Sequence, residues 1–238
     1  MDICTVALSV NAGVSITLGG LRIWIDALHR TRTEEYSSLT PELWRRMQQH
    51  PAFAAPDYII YTHRHPDHYS RTLTQEAKQL WPQAKIILPE TEFEDQLLLT
   101  GGSVRFADRG VGFHFVRLPH QGEQYASVPH YGVILSKGDF RILIAGDCRV
   151  CSTELACRLK NVHISLAILD FPWLTTRGGR KFVTEHIAPE HLFICHLPFA
   201  EDDRSGYRPA AQKSVPLLES VGDIRLLESP LQVEQITL

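Results

Sequence analysis

The seven residues Thr62-His63-Arg64-His65-Pro66-Asp67-His68 gather three imidazoles and a carboxylate into one short stretch. They follow an apolar run, Tyr58-Ile59-Ile60-Tyr61, that reads as a buried strand. In extended backbone alternate residues point the same way, so His63 and His65 can present two rings to one point. Pro66 removes a backbone donor and discourages further strand pairing. Asp67 and His68 then fall in a turn or at the first residues of a helix, where they can face the same point from another side. Neutral nitrogen and hard oxygen together suit a borderline cation such as zinc. The competing reading is a solvated, histidine-rich turn.

This stretch resembles the signature of the metallo-β-lactamase-fold hydrolases. The resemblance implies an α/β fold: a four-layer αβ/βα sandwich, a single domain over residues 1–238, with metals at one edge of two stacked half-sheets. It extends by ordered motifs over roughly residues 5 to 200, and within the family the branch containing L-ascorbate-6-phosphate lactonase is the nearest in pattern.

Further ligands are then expected at strand ends. Asp147 closes the apolar run Phe140-Arg141-Ile142-Leu143-Ile144-Ala145-Gly146, where the family places a metal-bridging carboxylate. Taken alone, Gly-Asp after a strand is a common turn. His196 follows the buried run Leu192-Phe193-Ile194-Cys195, the context of the family's last ligand, while Cys195 points the other way into the core. One ligand is open between His120, in Val116-Arg117-Leu118-Pro119-His120, and His130, ten residues later. Members with a longer loop carry the ligand at its start, which favours His120 and leaves His130 as a substrate-side or proton-transfer group. By the family pattern His63, His65 and His120 hold one metal, Asp67, His68 and His196 hold a second, and Asp147 bridges them. Two such cations, Zn2+ foremost with Mn2+ or Fe2+ as alternatives, would lower the pKa of a shared water to give a bridging hydroxide nucleophile. Asp67 would also orient that nucleophile or carry a proton. Asp26, at the end of the strand 21–25, is either a turn former or, by the resemblance, the residue that orients a ligand from beneath.

The elements that position these residues are legible in part. Residues 4–26 read as two strands about Gly19-Gly20. Residues 29–40 look like a polar loop, and Thr40-Pro41-Glu42 starts a helix whose Leu43, Trp44 and Met47 form a core-facing stripe. Helices are expected over 70–80, 92–99 and 182–187, and strands over 85–89, 113–118, 131–136, 140–145 and 166–170. Arg177-Gly178-Gly179-Arg180-Lys181 reads as a basic loop before the last of those helices, His186 and His191 as surface or supporting histidines, Phe171-Pro172-Trp173 as pocket wall or core, and Asp170 as a supporting carboxylate. No sequence repeat is evident.

The 238 residues, 44% hydrophobic and 21% charged, are ordinary for a globular domain. A formal net charge of −3 gives no whole-chain footprint for nucleic acid or anionic membrane. Five cysteines without a paired framework read as reduced thiols, and the N-terminus has an acid where a signal peptide needs bases. A cytoplasmic protein is expected, acting on a small, anionic molecule by lactone or phosphoester cleavage; it can form an oligomer, and no nucleic-acid or membrane partner is expected. The alternatives are a nucleic-acid phosphodiesterase of the same fold, a mononuclear iron dioxygenase, or a metal-binding module without turnover.

Overall fold

The computed structural model describes residues 3–30 and 35–238, so residues 31–34 of the expected polar loop lie outside the described residues. The chain begins with three antiparallel strands, β1 (Ile3–Leu8), β2 (Val14–Leu18) and β3 (Leu21–Ile25). The reading of residues 4–26 as two strands therefore merges β1 and β2, whose turn around Asn11 lacks the glycine pair that marks the next one. Gly13 closes that turn because a Cβ there would lie 2.7 Å from the Asp26 carbonyl oxygen.

Helix α1 (Pro41–Gln49) follows, with the Thr40 hydroxyl accepting from the Leu43 N–H and Leu43, Trp44 and Met47 buried. Strand β4 (Tyr58–Ile60) pairs parallel with β3, helix α2 (Arg71–Leu80) crosses over, and β5 (Lys85–Leu88) and β6 (Leu97–Leu98) complete the sheet. No helix forms over 92–99. Instead the Gln96 side chain accepts from the Glu92 and Phe93 N–H groups at 2.7 Å, holding a turn that a helix would have to break.

The second sheet repeats this plan. Strands β7 (Ser103–Asp108), β8 (Val111–Arg117), β9 (Tyr131–Lys137) and β10 (Phe140–Ile144) are antiparallel. Helix α3 (Thr153–Leu159) leads to β11 (Leu166–Asp170), which pairs parallel with β10. Helices α4 (Phe171–Thr175) and α5 (Arg177–Phe182), then a π turn over Val183–Ile187, lead to β12 (His191–Cys195). The basic stretch 177–181 is thus helical, capped by the Thr176 hydroxyl, and Trp173 is core whereas Phe171 is half-buried. Helix α6 (Tyr207–Ser214) precedes β13 (Asp223–Leu226), and β14 (Val233–Thr237) returns to pair with β1. The sheet orders are β14-β1-β2-β3-β4-β5-β6 and β13-β12-β11-β10-β9-β8-β7, so each half has an antiparallel meander followed by parallel crossovers. This repeat is topological and leaves no trace in residue identity.

Alternation along β11 shows the layering. Leu166 and Ile168 join a core formed with the first sheet, while Ala167 and Leu169 join a second core under the helices, with Leu155, Trp173 and Phe182. A strand buried on both faces must be apolar throughout, which is why its sequence shows no polar alternation. On the far side of the first sheet Trp24 packs edge-on against Trp44, Phe53 and Trp81 at ring separations of 6.4, 5.9 and 5.1 Å. The result is a four-layer α/β sandwich. Among the described residues no helix is long and apolar enough to cross a membrane.

Candidate metal centre

The carboxyl ends of β3 and β4 in one sheet meet those of β10 and β12 in the other, and each ends in a residue able to bind a cation or support one. Three of the connecting residues have left-handed backbone: Asp26 at φ 51°, Gly146 at φ 53° and His196 at φ 58°. Such conformations cost side-chain-bearing residues free energy, and they turn the chain sharply so that the next side chain faces the gap between sheets. At Gly146 a Cβ would lie 2.8 Å from His130 Nε2 and 2.9 Å from Thr62 Oγ1, so the residue before Asp147 must be glycine. His120 is held beside Asp147 by a short antiparallel bridge, in which the Gln121 N–H donates to the Asp147 carbonyl and the Arg149 N–H to that of Pro119, both at 2.8 Å.

The ligand-type atoms of His63, His65, His120 and Asp147 all lie within 4.8 Å of one another, and those of Asp67, His68 and His196 do likewise. Asp147 stands between the two groups. Its Oδ1 is 3.0 Å from His68 Nε2 and 3.7 Å from His196 Nε2, and its Oδ2 is 3.5 Å from His120 Nε2 and 3.8 Å from His63 Nε2.

Hydrogen bonds behind the rings set which nitrogen carries the proton. Asp26 accepts from the Thr62 N–H at 2.8 Å, from the Thr62 hydroxyl at 2.6 Å and from His68 Nδ1 at 3.0 Å. Having given its proton to Asp26, the Thr62 hydroxyl accepts from His63 Nδ1 at 2.9 Å. His120 Nδ1 donates to the Gln121 carbonyl at 2.6 Å. Each partner can only accept there, so Nε2 of His63 and His120 is left with a bare lone pair, and His68, its Nδ1 proton fixed in the same way, offers Nε2 once its second proton leaves. Those lone pairs face other ring nitrogens: His63 Nε2 lies 3.3 Å from His120 Nε2 and 3.1 Å from His65 Nδ1, and His68 Nε2 lies 3.0 Å from His196 Nε2. Zinc bound tetrahedrally at 2.0–2.1 Å separates its ligand atoms by about 3.4 Å. Converging lone pairs at such spacings fit a cation in each group, and the donor set of nitrogen and oxygen without thiolate suits zinc, iron or manganese.

The charges follow from the same contacts. Burial, with the neighbouring His68 next, holds His63 well below its ordinary range, and burial lowers His65 and His196 as well. Burial opposes charge on His68 too, but the Asp147 and Asp26 carboxylates outweigh it and raise His68 well above the usual value. Asp147 is held low by His68 and His196 despite its burial. Burial and the charge of Asp147 push Asp170, at the end of β11, well up.

His130 is fully buried outside both groups, its ring 5.3 Å from that of His63 and 5.5 Å from that of His120. Burial pushes it down to about 3, and neither ring nitrogen makes a side-chain hydrogen bond. His191 bonds Asp223 at 2.6 Å at the opposite end of β12, and His186 packs on Phe182, so neither joins the cluster. Cys195 is buried with its Sγ 3.5 Å from the Leu169 carbonyl.

Three residues of the site had no sequence reading as site residues. His29 is fully buried, held near His68 because Leu28 bridges Tyr69, and burial followed by the charge of His68 pushes it down to about 3. The Tyr36 ring stands edge-on to His196 at 4.4 Å, and the Tyr125 ring lies 4.6 Å from His65. His29 follows a strand-end aspartate by three positions, a signal that was available. Tyr36 sits in a loop and Tyr125 in a single 3-10 turn, Glu123–Tyr125, and neither carries such a signal.

Solved structures of similar fold include Igni18, a metallo hydrolase from the hyperthermophilic archaeon Ignicoccus hospitalis, at TM-score 0.70 and 17% identity over all of both chains. An isothiocyanate hydrolase from Delia radicum gut bacteria matches at TM-score 0.66 and 14% identity, covering 98% of each chain. CmlA, a diiron β-hydroxylase from Streptomyces venezuelae, matches at TM-score 0.66 and 12% identity over 99% of this chain and 54% of its own. No curated protein matches the sequence. The family model for the beta-lactamase superfamily domain matches residues 21–196, which span both halves of the cluster, and the chain belongs to that family.

Proposed function

We propose that the protein is a metal-dependent hydrolase that holds two divalent cations, zinc foremost, and cleaves a lactone or phosphoester in a small molecule. The observation that carries this reading is the placement of Asp147, whose two carboxylate oxygens face different histidine groups. His63, His65 and His120 would hold one cation and Asp67, His68 and His196 the other. When bound, such a pair supplies Lewis acidity and lowers the pKa of water.

The chain's own residues do the rest. Asp26 fixes the tautomers of His68 directly and of His63 through Thr62, so both groups are oriented before any cation binds. Asp67 Oδ2, 3.7 Å from His196 Nε2 and partly exposed, is placed to take a proton from the attacking water and return it to the leaving oxygen. The outcome is addition of one water: a lactone opens to a hydroxy acid, or a phosphoester gives an alcohol and phosphate. Burial and the nearby Asp147, Asp170 and Asp67 charges raise the Tyr36 phenol well above its ordinary range. It therefore stays neutral and keeps its proton for donation to an oxygen of the substrate. Tyr125, exposed over the other group, forms the opposite rim.

Metal-loaded protein assayed against panels of lactones, phosphoesters and thioesters tests this reading. Hydrolysis above that of the His63→Ala variant is expected for a lactone or phosphoester, and equal rates for both proteins across all panels would overturn it.

A further inference from the structure

A second cavity lies on the outer face of the second sheet, at the edge away from the candidate metal centre. Its volume is ≈ 370 Å³, in the range of small-ligand pockets. Register explains its walls. Arg105 on β7 pairs across from His114 on β8, and Arg141 on β10 pairs across from Ser136 on β9, which in turn faces Gly112 on β8. A Cβ at Gly112 would lie 2.5 Å from Ser136 Oγ, so the glycine opens the floor and admits the hydroxyl. Arg158, near the end of α3, closes the cavity from above and also lines a neighbouring hollow with Arg117. From Arg141 to Asp147 the chain runs six residues, roughly 20 Å at strand spacing, so this is a separate place.

Three guanidiniums, those of Arg105, Arg141 and Arg158, line this one cavity. Among the described residues Arg105, Arg117 and Arg158 meet no carboxylate, and the Arg141 guanidinium bonds only the Asp139 carbonyl, at 3.2 Å. No acidic residue lines the cavity itself. Glu154 lines the adjoining hollow, its Oε2 accepting from the Ser152 and Thr153 hydroxyls at 3.0 and 3.2 Å, and among the described residues it makes no ion pair with Arg158 or Arg117. Burial and the guanidiniums of Arg105 and Arg158, which line the same cavity, push His114 down to about 4 and leave a neutral imidazole bonded to Ser103 Oγ. Like charges gathered without a counter-charge repel, and a multivalent anion relieves that repulsion. Guanidiniums bind phosphate oxygens in pairs, and the Ser136 hydroxyl and His114 ring add neutral donors.

We infer that this cavity is a non-catalytic binding site for a small molecule with two adjacent phosphate groups, either free pyrophosphate or a nucleoside diphosphate. The test is calorimetric titration of the metal-loaded full chain, freed of excess metal, with pyrophosphate, ADP and adenosine, beside the Arg105→Gln/Arg158→Gln double variant. Both arginines are exposed, so the variant should fold, and circular dichroism and metal content check this. The expected result is saturable binding of pyrophosphate or ADP but not adenosine, weakened at least tenfold in the double variant at equal metal content. ADP binding tighter than pyrophosphate would identify the nucleotide as the ligand, and the reverse the free anion. Absence of binding, or equal affinity in both proteins, would overturn the proposal.

Discussion

Asp26 accepts a hydrogen bond from His68 Nδ1 at 3.0 Å, and the same carboxylate reaches His63 through the Thr62 hydroxyl. One buried acid thus orients a histidine in each candidate ligand group. Asp26→Asn should weaken both metals, by about 10–100-fold in affinity, the scale of such supporting partners. Thr62→Val should weaken chiefly the group containing His63. Competitive chelator titration distinguishes the two patterns, and equal effects of both variants on both metals would count against the relay.

Gly146 combines left-handed backbone with two close contacts. Gly146→Ala should destabilise the metal-free protein by about 2–4 kcal/mol, adding a backbone cost to overpacking against His130 and Thr62. A fall in denaturant midpoint at unchanged slope is the expected record.

The buried histidines make metal-free stability depend on pH. His29 and His130 are held at about 3 in the fold, below the ordinary 6.5. Between those values the unfolded chain binds more protons, so stability is full above about pH 6.5 and falls as the pH drops toward 3. At pH 5 the loss is about 2 kcal/mol for each residue. His68, whose value is raised, acts in the opposite sense: its contribution is present at low pH and fades as the pH rises. Comparing wild type with His130→Gln isolates one residue. The variant should lose about 2 kcal/mol less between pH 7.5 and pH 5, measured by chemical denaturation.

Tyr36→Phe keeps the ring against His196 and removes the hydroxyl. The expected outcome is unchanged metal content with kcat lower by about 100-fold, the scale of one lost donor to a developing oxyanion. A change in KM alone would assign Tyr36 to substrate binding.

Much of this site was legible because strands that end in His or Asp announce themselves locally. His63, His65 and His68 lie in one short motif, and Asp147 and His196 each close an apolar run. The fold class came from the family resemblance of the first motif, and the alternation of strand and helix patterns was compatible with it. What sequence could not supply was contact across the gap between sheets. Tyr36 reaches His196 from a loop without periodicity, and β13 and β14 join the two sheets' edges from a tail that carries no motif. The stretch 92–99 misled because its apolar spacing suits a helix, while Gln96 closes the backbone locally. The choice between His120 and His130 rested on loop length, since each borders a strand. In the fold both rings lie near His63, but only His120 shares the close group with Asp147.

Metal stoichiometry of the purified protein tests the central claim most directly. Wild type, loaded with zinc at neutral pH and freed of excess, should retain two equivalents per chain, His130→Ala should retain both, and His120→Ala should lose one. Wild type that takes up no transition metal, or a loss confined to His130→Ala, would contradict it.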